Sequence, residues 1–153
     1  MADVLTQEQR RLNMSRVRGK NSNLELQVRK LLYAKGLRFR LHRRDLPGSP
    51  DIVLPRYRVC VFVHGCFWHG HTCPLFKLPG TRQEFWAQKI GGNRNRDEIA
   101  VQSLLQLGWR VLIIWECALR GPARLNPDAL VDQCIAFVNQ AKPEYKTSTG
   151  AIP

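Results

Sequence analysis

Between His64 and Cys73 the chain reads HGCFWHGHTC, which packs three of its four histidines and two of its five cysteines into ten residues. Thiolate and imidazole are the ligands Zn²⁺ prefers, and a closed structural zinc site takes four of them. Cys66, His71 and Cys73 supply three. The nearest remaining candidate is Cys117, at the end of the apolar run WRVLIIWEC. A shared ion would therefore staple this loop to the end of a buried strand. Four protein ligands leave zinc no open position, so such a staple is structural and His64 and His69 are left over for other chemistry. The spacing is not that of a standard zinc finger. The competing reading makes the cysteines small buried hydrophobes and the histidines surface groups, and Cys60 and Cys134 fit that description better.

The rest of the chain reads as one domain. WRVLIIWEC is nearly continuous in apolar residues, which predicts a strand over 109–116 buried on both faces. Three strand-like stretches precede it, Leu37–His42, Asp51–Leu54 and Arg58–Val63, separated by the turn sequences LPGSP and PRY. SNLE at Ser22 is a capping box opening a helix whose apolar face is Leu24, Val28, Leu31 and Leu32, ended by Gly36. TRQE at Thr81 is a second capping signal, predicting a helix to about Ile90, with another over Arg94–Leu107. Asn126 and Pro127 open a last helix with Leu130, Cys134, Phe137 and Val138 on its inner face. The expected architecture is α/β, a mixed central sheet flanked by helices over residues 22–141. Residues 1–21 read as a basic arm, with Met14 and Val17 as isolated apolar points, and 142–153 as a polar tail.

Charge narrows the function. Lys and Arg number 24 against 12 acids, a net of +12. Such an excess favours a polyanionic partner, nucleic acid before a membrane surface. No apolar run approaches the roughly 20 residues of a membrane span, and the N-terminus lacks the apolar stretch of a secretory signal. A reducing intracellular compartment is expected, and the odd cysteine count suits metal ligation better than a disulfide framework.

Asp51 heads one strand, in SPDIVL, and the next strand ends at Val63 and His64. A Pro-Asp before paired strands is the front half of a nuclease metal site, where a carboxylate and nearby carbonyls suit Mg²⁺; by itself it is more often just a turn. In combination, PGSPDIVLPRYRVCVFVHGCFWHGHTC, TRQEFWAQKIGGNRNRD and LGWRVLIIWECALRG strongly resemble the very short patch repair endonucleases of bacteria, over about residues 12–138.

The resemblance implies a restriction-endonuclease-like fold with a structural zinc. It also implies an enzyme that nicks one strand of double-stranded DNA beside a T:G mismatch left by deaminated 5-methylcytosine, working in the bacterial cytoplasm at the nucleoid with mismatch-repair accessory proteins. Asp51 matches the family's Mg²⁺-binding carboxylate, His69 the general base, and Glu25 and His64 supporting positions near the metal. Phe67, Trp68 and Trp86 match the aromatics that enter the duplex at the mismatch; Met14 and Val17 match apolar positions of the arm that approaches from the minor groove. One departure is Val63, where the best-known members carry threonine. A backbone carbonyl can still bind Mg²⁺ there, whereas a hydroxyl role is lost.

The residues themselves add three expectations. Asp97 could orient His69, or be an acid on a solvated helix face. Lys89 and Asn93 follow Trp86 and could reach base edges. Trp86 could equally face the core with Phe85 and Ile90, and Glu25 could serve only its helix cap. Two other functions stay open: a zinc-stapled DNA-binding regulator without catalysis, and a same-fold restriction-type nuclease cutting both strands. With no long exposed apolar face in the sequence, a nicking monomer is the simpler expectation.

Overall fold

A computed structural model describes residues 22–73, 76–139 and 145–148. Its elements are α1 (Asn23–Ala34), β1 (Arg40–Leu41), β2 (Ile52–Leu54), a 3₁₀ turn at Pro55–Tyr57, β3 (Val59–His64), α2 (Gln83–Gln106), β4 (Arg110–Trp115), the single turn α3 (Glu116–Leu119), α4 (Pro127–Val138) and β5 (Tyr145–Ser148). The strands form one mixed sheet in the order β1-β2-β3-β4-β5. The β1/β2 and β2/β3 pairs are antiparallel, while β3/β4 and β4/β5 are parallel.

The alternation within β3 and β4 explains why they read as continuous apolar runs. Val59 and Val61 of β3, with Leu112 and Ile114 of β4, point into a core shared with Val28 and Leu32 of α1 and Leu130, Cys134 and Phe137 of α4. Cys60 and Phe62, with Val111 and Ile113, face the opposite way, against Val101 and Leu104 of α2. Both faces of the sheet are covered, so neither phase of the period-2 pattern can be polar. Arg110 is the buried exception. Its guanidinium donates to the carbonyls of Phe137 and Val138 at 2.7 Å and of Tyr57 at 2.8 Å, satisfying the end of α4. No helix among the described residues is long and apolar enough to cross a membrane.

Several local expectations give way. The stretch Leu37–His42 pairs only at Arg40 and Leu41. The two helices expected around Gly91–Gly92 are one 24-residue helix. Each glycine costs that helix about 1 kcal/mol, which the burial of Ile90, Ala100, Val101 and Leu104 outweighs. TRQE caps nothing: the N-cap is Arg82 at φ 55°, without a side-chain bond. At Ser22, by contrast, the hydroxyl does accept from the Glu25 amide, at 3.3 Å. Phe85, expected in the core, is 43% exposed. Cys117 does lie just past the end of the strand, as expected, in the single turn α3. Tyr145–Ser148, within the segment expected as a tail, pairs along β4 as an edge strand.

Candidate active site and metal centre

The hairpin β1–β2–β3 assembles the acidic side of the site. Leu41 pairs with Ile52, so His42 meets Asp51 just beyond the paired residues, and the His42 N–H donates to the Asp51 carbonyl at 3.3 Å. Across the other pairing, the Asp51 carboxylate accepts from the Val63 N–H at 2.8 Å. Burial pushes the Asp51 carboxyl up to about 6; the Val63 bond opposes this and the neighbouring Glu25 charge adds to it. Glu25, in the first turn of α1, is only 4% exposed. Its Oε2 accepts from Arg29 at 3.2 Å and lies 3.0 Å from His42 Nε2. Ligand atoms of Glu25, His42 and Asp51 all lie within 4.8 Å of one another.

The end of β3 and the loop after it supply two imidazoles. His64 and His69 are stacked face to face, centroids 3.8 Å apart and 3° from parallel. His69 Nδ1 is hydrogen-bonded to the Asp97 carboxylate of α2, which leaves Nε2 as its lone-pair nitrogen. His64 is buried, and its Nδ1 has no hydrogen-bond partner among the described residues. Burial, followed by the neighbouring His69, pushes its pKa down to about 3, so it is neutral at neutral pH. Although His64, His69 and Asp97 are close enough to share an ion, parallel stacked rings direct their in-plane lone pairs side by side rather than at one point. The geometry suits a held base better than a metal cage.

One cleft of about 990 Å³ joins these groups, lined by Glu25, Asp51, Val63, His64, His69 and Asp97 and also by Phe67, Trp68, Lys89 and Arg96. Phe67, Trp68 and Trp86 are half-buried and pack edge to face, with centroids 5.2 to 5.9 Å apart. Trp86 thus joins the loop aromatics rather than the core. Asn93 donates to the Trp68 carbonyl at 2.9 Å and accepts from Arg96, so its amide braces the aromatic loop. Lys89 is exposed.

Beneath the aromatics, ligand atoms of Cys66, His71, Cys73 and Cys117 lie within 4.8 Å of one another. His71 Nδ1 is 3.6 Å from Cys66 Sγ and 3.5 Å from Cys117 Sγ. The His71 ring stacks on Trp115 at 4.1 Å, and the Cys66 N–H donates to Glu116 at 3.2 Å. Burial pushes the Cys66 thiol up, so thiolates here call for a cation. Gly70, at φ 62°, lets the loop lie on α2: a Cβ there would come 2.6 Å from Ile90. This donor set could hold a metal ion.

A family model described as DNA mismatch endonuclease Vsr matches residues 2–75. The DNA mismatch endonuclease Vsr of Escherichia coli is 48% identical over 133 residues, spanning 87% of this chain and 85% of the relative. The chain belongs to the Vsr family of DNA mismatch endonucleases. Other Vsr-like relatives are the type II nicking enzymes V.XorIIP of Xanthomonas oryzae pv. oryzae and V.NmeAIP of Neisseria meningitidis. The first is 52% identical, spanning 78% of this chain and 88% of the relative, and the second 38% identical, spanning 82% and 93%.

Vsr-family membership makes the chain a nuclease with DNA as its substrate. Met14 and Val17 lie outside the described residues. His42 is the residue that the sequence reading passed over. Its signal was the hairpin register around LPGSP, which sets it opposite Asp51. Trp115 and Glu116, which support the cysteine cluster, were likewise read only as part of a strand.

Proposed function

We propose that this Vsr-family chain nicks one strand beside a T:G mismatch arising from deaminated 5-methylcytosine, by Mg²⁺-dependent phosphodiester hydrolysis on a restriction-endonuclease-like fold. The observation that carries this reading is one cleft lined together by the Glu25–Asp51 carboxylate pair, an Asp97-held histidine and the aromatics Phe67 and Trp68. A regulator without catalysis has no use for the first two features.

The buried Glu25 carboxylate and the partly buried Asp51 carboxylate beside it form a hard oxygen donor set whose mutual repulsion a divalent cation relieves. Asp51 and the Val63 carbonyl would hold Mg²⁺, with Glu25 and His64 in support. Mg²⁺ supplies charge stabilisation at the phosphate and leaving oxygen. His69 Nε2 takes the proton of the attacking water, and Asp97 fixes the tautomer that makes this possible. Neutral His64 packs against the His69 ring and holds it without adding a competing charge. Val63 lacks the threonine hydroxyl of the best-known members, and its backbone carbonyl keeps the metal-binding role.

The cysteine cluster suits Zn²⁺. A tetrahedral site with Zn–S near 2.3 Å and Zn–N near 2.0–2.1 Å requires an S···N edge of about 3.6 Å, and the edges from His71 to Cys66 and Cys117 are 3.6 and 3.5 Å. Such an ion is structural and holds Phe67 and Trp68 stiff. A rigid wedge enters a mismatched step more readily than a paired one, because the mismatch has less pairing to lose. Lys89 contacts the DNA beside that wedge, with Asn93 bracing it, and Met14 and Val17 approach from the arm. The enzyme works as a monomer in the bacterial cytoplasm, with accessory repair proteins downstream.

The test is incubation of matched T:G and C:G duplexes with protein and Mg²⁺, scoring each strand. A nick confined to one strand of the T:G duplex is expected. Cutting of both strands, or equal cutting of the C:G duplex, would favour the restriction-type nuclease instead.

A further inference from the structure

His42 touches both acidic residues of the cleft, the backbone carbonyl of Asp51 and the carboxylate of Glu25. Its backbone N–H donates to the Asp51 carbonyl at 3.3 Å, and its Nε2 lies 3.0 Å from Glu25 Oε2. The residue stands at φ 47°, in the left-handed region. Side chains with a Cβ are disfavoured there, histidine, asparagine and aspartate less so than most. A histidine kept in that conformation, with its ring turned inward to a buried acid, indicates that the side chain offsets the backbone penalty. Strain of this kind gathers where a site must be held in one arrangement.

The surrounding charges agree. Glu25 is nearly fully buried beside Asp51, and its charge disfavours ionisation of Asp51. Arg29 approaches Glu25 Oε2 from its own helix, one turn on. His42 reaches the same oxygen from the hairpin, a sequence separation of 17 residues. It thus fixes α1 to β1 at the point where the two acids face each other.

We propose that His42 is a positioning residue for the nuclease centre: it holds the Glu25 carboxylate against Asp51 and so sets the affinity of the acidic pair for a divalent cation. This rests on the reading of Asp51 as the Mg²⁺ ligand. His42 acts through Glu25 and touches neither the DNA nor the scissile phosphate.

Mn²⁺, as a spectroscopic probe, reports binding independently of turnover. Purified full-length protein carrying His42→Ala, His42→Gly or His42→Gln would be bound to a T:G duplex and titrated with Mn²⁺, following the free ion by electron paramagnetic resonance. The Asp51→Asn complex supplies the background of DNA-bound Mn²⁺. Partners that orient a ligand typically change metal affinity by about 10-fold or more. We expect His42→Ala and His42→Gly to weaken Mn²⁺ binding about 10-fold, with the concentration of Mg²⁺ needed for half-maximal nicking rising in step. His42→Gln, whose amide can still donate to Glu25, should recover most of the loss. His42→Gly relieves the left-handed backbone, so its melting temperature should not fall below that of the parent, which separates positioning from folding. Parent-like Mn²⁺ affinity in a folded His42→Gly protein overturns the proposal, as does a His42→Gln protein no better than His42→Ala. If instead Asp51→Asn binds Mn²⁺ and nicks like the parent, the Mg²⁺ assignment itself fails, and the role of His42 with it.

Discussion

The rings of His64 and His69 lie 3.8 Å apart and almost parallel. Two imidazolium cations could not share that stack. Burial keeps His64 neutral, with its pKa near 3, while Asp97 faces the outer nitrogen of His69. The stack therefore sorts two identical side chains into different tasks by environment alone.

From that sorting, His69→Ala should lower single-turnover nicking of a T:G duplex by about 100- to 10,000-fold, the usual worth of a general base. Asp97→Asn should cost about 10- to 100-fold, because the imidazole remains but its tautomer is no longer fixed. Duplex affinity, measured by fluorescence anisotropy, should be nearly unchanged in both. A turnover close to the parent's in His69→Ala would remove the base assignment.

Asp51 predicts a trade of stability for function. Its folded pKa, about 6, is raised above the ordinary carboxylate value of 3.8. Between those values the folded state keeps a proton that the unfolded state has released. The stabilisation this brings is full below pH about 4, declines as pH rises, and is gone above pH about 6. Asp51→Asn keeps an oxygen for the Val63 N–H but carries no charge. At pH 7.5 without Mg²⁺ it should be more stable than the parent by about 1–3 kcal/mol in urea unfolding, while nicking is lost. Added Mg²⁺ should raise the melting temperature of the parent only. Equal stability of the two proteins at pH 7.5 would mean that the buried charge is better solvated than its surroundings indicate.

Removing the cysteine-held ion should unfold the site rather than merely silence it. One Zn²⁺ per chain is expected by elemental analysis, retained in Asp51→Asn and lost in Cys73→Ala or Cys117→Ala, with a marked fall in melting temperature. Cys60→Ala, whose thiol packs against the α2-side core, should keep its zinc. A zinc-free protein that stays folded and active would exclude a structural ion.

Trp68 sits where wedge and scaffold meet, edge to face with Phe67 and Trp86. Trp68→Ala should weaken binding to the T:G duplex by about 1–3 kcal/mol, the worth of an aromatic–base stack. Fully paired DNA, which the wedge seldom enters, should lose much less. Equal losses on both duplexes, with a lower melting temperature, would identify the aromatics as packing for the metal loop.

Which parts were written locally can be read from particular residues. The donors Cys66, His71 and Cys73 share one loop, and their side-chain chemistry admits few uses. The Ser22 cap needs only its own helix turn. β3 and β4 announce themselves because both faces of each strand are apolar, which any sheet covered on two sides requires. None of these depends on what a distant segment does.

Other features were settled by energies that no local window contains. The helix through Gly91 and Gly92 is weak by propensity, yet it stays whole because its inner face is buried along the sheet; burial sums over many side chains, while the two glycines cost only about 1 kcal/mol each. β5 exists because β4 offers it a hydrogen-bonding edge, not because Tyr145–Ser148 is apolar. His42 meets Glu25 across 17 residues, and His69 meets Asp97 across 28. The sequence alone determined the ligand types, the buried strand β4 and the family resemblance, since these reside in side-chain chemistry and short-range order. Tertiary structure decided which acid faces which imidazole, because that depends on the register of β1 on β2 and the docking of α1 and α2 against the sheet, interactions between segments that are distant along the chain.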